Sequence, residues 1–182
     1  LLTKYNPQLV GYNSRSYDMA VITQRAMINR ISLPTYFQSG DKWNSYKQRY
    51  SQDWHLDLMD VMSNYRASCV TKLDVAATSV GLPGKYGPSG ADVGGMYKAG
   101  RLDEIANYCE TDVLNTYGLM LRWFLTTGEL SEQGFEKSAQ MFFKFIASKG
   151  ADRKHIAEFG SLVDWEFFGG RPFIDKIFAN GV

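Results

Sequence analysis

The chain has 182 residues, of which 45% are apolar and 21% charged, enough for one globular domain with or without an appendage and too ordinary a composition for a disordered chain. With 20 Lys and Arg against 19 Asp and Glu the formal charge is +1, which argues against a large basic face gripping duplex nucleic acid but leaves room for an acidic metal site flanked by local cations. Cys69 and Cys109 are too few for a disulfide framework, so a reducing, cytoplasmic setting is expected, and no apolar run approaches a membrane span.

The chain opens at Leu1-Leu2-Thr3-Lys4-Tyr5 without an initiator Met, and the expectation is a reading frame that starts further upstream. Gln8 to Tyr12 is a short β-prone run that ends in a polar turn at Asn13 to Ser16. Ser16 can cap the next helix, which runs from Tyr17 to about Arg30 with Val21, Ile22, Ala26, Met27 and Ile31 at helical spacing; Pro34 follows. Pro34 to Gln52 is polar and aromatic, carries Lys42, Lys47 and Arg49, and reads as loop or short helix.

His55 to Met59 alternates like a half-buried strand, and Asp60 is placed to cap a short helix through Tyr65. Thr71 to Val80 reads as a helix stopped by Gly81 and Pro83, and a glycine-rich loop from Gly84 to Gly90 leads to another from Ala91 to Lys98. The longest element predicted spans Leu102 to about Thr126, with Leu102, Ile105, Cys109, Val113, Thr116, Met120 and Phe124 as its buried stripe and Asp112 beside it. Helices are expected over Phe135 to Ser148 and Arg153 to Val163, and Phe167 to Phe178 has no assigned form. Strands interleaved with helices argue for an α/β layered domain, here residues 1–130, followed by a helical C-terminal extension over 131–182.

Two segments carry chemistry. Tyr108 and Asp112 lie four residues apart on the long helix, so a phenol and a carboxylate share one face and converge on a small volume. Asn13, Tyr17 and Asp18 follow a strand and open a helix, where an acid also suits the helix dipole. Asn-x-x-x-Tyr-Asp and Tyr-x-x-x-Asp resemble the second and third motifs of the tyrosine branch of the DEDD exonuclease superfamily. With Leu9 to Asn13, His55 to Asp60, Lys85 to Val93 and Tyr108 to Leu119 in order, residues 9 to 130 resemble a bacterial family of predicted exonucleases related to the proofreading domain of family B DNA polymerases.

That resemblance implies an RNase H-like mixed sheet flanked by helices, with its opening strands missing from the sequence. It implies a two-metal 3′-to-5′ exonuclease that hydrolyses the terminal phosphodiester of single-stranded DNA, with RNA as the alternative substrate, using Mg²⁺ or Mn²⁺ ions about 3.5 to 4 Å apart. Asp112 and Asp18 would bind metal, Tyr108 would orient the attacking water, and Asn13 and Tyr17 would contact the terminal nucleotide. Lys85 would meet a phosphate, or is a solvated surface lysine.

The family's first motif, Asp-x-Glu on an opening strand, should precede Asn13, yet none of the first twelve residues is acidic. Two acids do not replace four, so residues 1–182 alone are expected to be inactive, with the missing pair upstream. Asp164-Trp165-Glu166 matches the pattern but falls after the third motif and is read as coincidence. Asp57 is read as structural, His55 and His155 as too isolated for a zinc or nucleophilic site, and Phe142, Phe143, Phe145, Trp165, Phe167 and Phe168 as core or interface. The rival reading is a non-catalytic nucleic-acid-binding or scaffold domain that lacks the first acid pair.

Overall fold

A computed structural model describes residues 2–85, 87 and 90–169. The chain is mixed α/β and mostly helical, and it divides between Thr71 and Lys72 into two compact units.

The first unit contains α1 (Leu2–Tyr5), β1 (Leu9–Gly11), α2 (Asp18–Ile28), α3 (Pro34–Gln38), β2 (His55–Asp57) and α4 (Leu58–Met62). Among the described residues the sheet has two strands, β1 parallel to β2, with Leu9, Val10 and Gly11 in register with His55, Leu56 and Asp57. Strand β2 is buried throughout rather than half-buried, because His55 and Asp57 turn inward with polar partners. Tyr46 fills the centre of this unit, stacked on Tyr36 and edge-on to Trp54, with its hydroxyl donating to the Pro7 carbonyl at 2.7 Å.

The apolar periodicity of α2 misleads. Ala26 alone among its residues is buried, while Val21, Ile22, Met27 and the following Ile31 are exposed. Ser16 does not cap the helix either: Tyr17 stands at the N-cap without a side-chain bond, and the Ser16 hydroxyl accepts from Arg66 at 3.2 Å. The cap expected of Asp60 belongs to Asp57, whose carboxylate accepts from the Met59 amide at 3.1 Å; Asp60 pairs with Arg49 at 2.7 Å.

The second unit is helical, with α5 (Leu73–Thr78), α6 (Val93–Lys98), α7 (Leu102–Thr127), α8 (Glu132–Gly150), α9 (Lys154–Leu162) and α10 (Trp165–Gly169). Helix α7 packs against α5, α6, α8 and α9. Its buried face is Thr111, Leu114, Asn115, Gly118, Leu119 and Leu121, a corrected stripe; Val113 is 65% exposed and Leu102 56%. Hydropathy points the wrong way because the contact face is made partly of small and polar residues. A Cβ on Gly118 would lie 2.8 Å from Leu82, so glycine sets that approach, and Asn115 is buried with its hydrogen bonds satisfied.

The division expected at 130 falls in the turn after α7, where Gly128 adopts a left-handed conformation at φ 82° and Ser131 caps α8 through the Gly134 amide at 3.1 Å. Phe142 and Phe168 are buried and meet Trp165 in edge-on ring contacts, whereas Phe145 and Phe167 are exposed. The uncertain stretch from Phe167 continues past 169, outside the described residues. Asp164 accepts from the Phe167 amide at 2.9 Å, so its carboxylate caps α10.

His55 makes the first unit pH-sensitive. It is 2% exposed, its Nε2 bonds Ser14 Oγ at 2.8 Å, and burial with the nearby Arg15 guanidinium lowers its pKa to about 4. Gly11 leaves room for that bond, since a Cβ there would lie 2.3 Å from Ser14 Oγ. A histidine depressed from about 6.5 binds fewer protons folded than unfolded, so its contribution is complete above pH 6.5 and is lost as pH falls toward 4. Urea denaturation should show His55 accounting for about 2–3 kcal/mol of lost stability between pH 7 and 4.5, and a His55→Gln variant should lose that much less over the same interval.

Candidate active site

The candidate residues fall in both units. Asn13, Tyr17 and Asp18 lie at the β1-to-α2 turn of the first; Lys85, Tyr108 and Asp112 lie in the second.

In the first unit the turn is shaped by one buried acid. The Asp57 carboxylate accepts from the amides of Asn13 at 2.8 Å and Arg15 at 2.9 Å, besides capping α4. That clamp holds Asn13 at a φ of 58°, a left-handed conformation that asparagine tolerates better than most residues. Arg15 crosses below, donating to the carbonyls of Tyr46 at 3.0 Å and His55 at 2.6 Å. The Asn13 side-chain oxygen accepts from Arg66 at 3.0 Å, which leaves its amide nitrogen as the donor. Tyr17 is 67% exposed. Asp18 is exposed, yet partial desolvation and the like charge of Asp57 raise its carboxyl above the ordinary range.

In the second unit three predicted residues come together. Lys85 places its ammonium 4.9 Å from the centre of the Tyr108 ring, and the Tyr108 hydroxyl interacts electrostatically with both Lys85 and Asp112, which lies one turn along α7. Burial and the bond to Asp112 raise the Tyr108 pKa, so its hydroxyl keeps its proton at neutral pH. The bond to Tyr108 likewise raises Lys85, which stays charged. A cavity of about 460 Å³ opens beside Tyr108, lined also by Asn107, Thr111, His155 and Glu158. His155 bonds Glu110 at 2.6 Å, and that pairing, with Arg153 at 2.7 Å, holds Glu110 below the usual carboxylate range.

Lys85 is put in place by residues that hydropathy patterns do not flag. Asn115 donates to the Gly84 carbonyl at 2.8 Å and accepts from its amide at 3.1 Å, while Asp74 accepts from the Lys85 amide at 2.6 Å. Gly84 has φ 66°, and a Cβ there would meet Thr78 at 2.6 Å and Asp74 at 2.7 Å. One sequence signal was available: Thr111 and Asn115 put two polar side chains four apart on a helix that otherwise buries apolar ones.

The residues bring an acid, a phenol and a cation side by side, the kind of group that handles a phosphate and a water. The profile of a family described as predicted 3′-5′ exonuclease related to the exonuclease domain of PolB matches residues 1–163. The chain belongs to this family. No curated protein and no solved structure matches it. For this PolB-exonuclease relative the match takes in both motifs and runs past residue 130 through α8 and α9. No helix among the described residues is long and apolar enough to cross a membrane.

The motif resemblance implies divalent cations. Asp18 and Asp112 are the charged oxygen donors that hard cations prefer, but among the described residues no three of His, Cys, Asp and Glu gather into a group able to hold a metal. The donor type fits.

Asn115→Ala should free the 82–85 segment and cost about 1–3 kcal/mol, because it strands the buried amide and carbonyl of Gly84. Thermal denaturation measures the cost, and loss of the Lys85 ammonium from the Tyr108 ring should be visible as altered ring-proton shifts by NMR. An unchanged Tyr108 environment in this variant counts against the positioning role.

Proposed function

We propose that this protein is a metal-dependent 3′-to-5′ exonuclease that removes nucleoside monophosphates from the ends of single-stranded nucleic acid, with DNA as the expected substrate and RNA as the alternative. The observation that carries the reading is the Lys85–Tyr108–Asp112 line on and beside α7. Tyr108 keeps its proton and is anchored at both sides, so it suits the role of orienting a water for in-line attack. Lys85 offers positive charge to a non-bridging phosphate oxygen.

At the other motif, the exposed Tyr17 ring suits stacking on a terminal base of any identity, and the Asn13 amide suits a hydrogen bond to it. Asp18, raised by partial desolvation and then by the Asp57 charge, is a carboxylate that a cation would stabilise in its ionised form. Mg²⁺ or Mn²⁺ ions, when bound, supply charge stabilisation for the attacking and leaving oxygens. Asp18 in the first unit and Asp112 in the second are the carboxylates of this chain that would each contribute an oxygen ligand. In the same reading β1 and β2 belong to an RNase H-like mixed sheet.

The second reading is a nucleic-acid-binding or scaffold domain that keeps the fold without catalysis. An Asp-x-Glu strand encoded ahead of Leu1 distinguishes the two.

In the full-length protein, Asp112→Ala and Asp18→Ala should each abolish Mg²⁺-dependent digestion of a 5′-labelled single strand while circular dichroism stays unchanged. Wild-type digestion by both variants overturns the site assignment. Tyr108→Phe, which removes only a hydroxyl, should slow turnover on the order of 10²-fold with metal affinity preserved.

A further inference from the structure

Residues 36–50 hold five aromatic side chains in fifteen positions, interleaved with Lys42, Lys47 and Arg49 against the single acid Asp41. Two of the rings have structural work: Tyr36 and Tyr46 are buried and stack on one another. The other three are solvent-exposed, Phe37 set edge-on to Tyr36 at 5.1 Å and Tyr50 edge-on to Tyr65 at 4.6 Å. Trp43 is 72% exposed, Tyr50 68% and Phe37 41%.

The exposed rings sit on an organised backbone. The Asp41 carboxylate accepts from the amides of Trp43 and Asn44, both at 2.7 Å, and the Asp41 amide donates to the Asn44 carbonyl at 2.8 Å. Those bonds keep Asp41 ionised and hold Lys42 and Trp43 at the tip of a closed turn. The Gln48 side chain bonds the Lys42 carbonyl across the loop. A tryptophan left in water on a rigid turn gains nothing for the fold, and its ordering entropy is already spent before any ligand arrives.

Cations accompany the rings. The Lys42 ammonium lies 4.9 Å from the Trp43 ring centre, and that of Lys47 lies 5.8 Å from Phe37. Arg49 is committed to Asp60, so Lys42 and Lys47 are the positive charges that this segment offers. Flat apolar faces with ammonium groups beside them match a strand of unpaired bases on a phosphate backbone. Duplex DNA hides its base faces, and a protein surface has no regular anion spacing to meet the lysines.

We propose that residues 36–50 form a stacking platform for single-stranded nucleic acid, in which Trp43 and Phe37 take unpaired bases and Lys42 and Lys47 take neighbouring phosphates. The platform rests on the nuclease reading for its biological sense but uses none of the residues assigned to the scissile bond.

The test is fluorescence anisotropy of the full-length protein with a labelled twelve-nucleotide oligothymidylate in EDTA, where no hydrolysis occurs. Trp43→Ala and Phe37→Ala should each weaken binding roughly 5- to 100-fold, with Trp43→Phe recovering most of the loss. Lys42→Gln and Lys47→Gln should each lower the logarithmic salt slope by about 0.7. A blunt duplex should compete poorly. Hydrolysis of the p-nitrophenyl ester of thymidine 5′-monophosphate, too small to reach a platform, should be unchanged in all four loop variants that remove a side chain. Wild-type binding by Trp43→Ala and Phe37→Ala, or equal competition by duplex, overturns the platform even if the protein digests DNA. Binding that depends on Trp43 in a protein without hydrolytic activity upholds the platform and removes the nuclease reading.

Discussion

A buried carboxylate organises the first unit. Asp57 stands at the end of β2 with three backbone amides directed at it, two from the turn after β1 and one from its own helix, α4. With only two strands among the described residues, ladder hydrogen bonds are few, and this acid does the joining that further strands would otherwise do. Every candidate residue of the second motif depends on it: Asn13 is in its clamp, and Tyr17 and Asp18 start the helix that the clamped turn aims. Desolvation raises the Asp18 carboxyl and the charge of Asp57 adds to it, so the group that shapes the turn also acts on the acid beside it. Each amide directed at an ionised acceptor is worth more than an ordinary backbone bond, and the group is expensive to remove because all three donors would be stranded.

The second unit uses the same device with a neutral side chain. Asn115, inside the buried face of α7, replaces a strand partner for Gly84 by bonding both its amide and its carbonyl. The consequence reaches the candidate site directly, since Lys85 is the next residue and leans on the Tyr108 ring one helical stretch away. Gly84 can take part only because it lacks a Cβ and adopts a positive φ between Asp74 and Thr78. In both units, then, a polar residue buried against backbone fixes a loop, and the loop presents the residue with the chemistry.

The local part of the site was legible in the sequence, and the supporting part was not. Tyr108 and Asp112 meet because four residues make about one helical turn, a spacing that any sequence reading can use. Lys85 joins them through Asn115 and Asp74, which lie about thirty residues after it and eleven before it, and no local rule connects those positions. Elements were found more reliably than faces. Helix α7 runs almost as periodicity predicts, yet its buried side is built on Gly118, Thr111 and Asn115, residues that a hydropathy scale scores as neutral or solvent-seeking. For α2 the scale errs the other way, with Val21, Ile22 and Met27 left exposed. Either Asp57 or Asp60 satisfies the local cap pattern, and the choice is made by Arg49 and Arg66, which engage the buried Asp60 carboxylate in ion pairs.

The order of the motifs, the phenol and carboxylate one turn apart, and membership of the exonuclease family follow from the amino-acid sequence itself, because each rests on residue identity at short or fixed spacing. The tertiary structure alone decided that Asp57 holds the Asn13 turn, that Lys85 reaches Tyr108, and which aromatic rings of residues 36–50 face water. These depend on contacts between segments distant in sequence, where burial and hydrogen-bond geometry, rather than propensity, select one partner among several chemically equivalent ones.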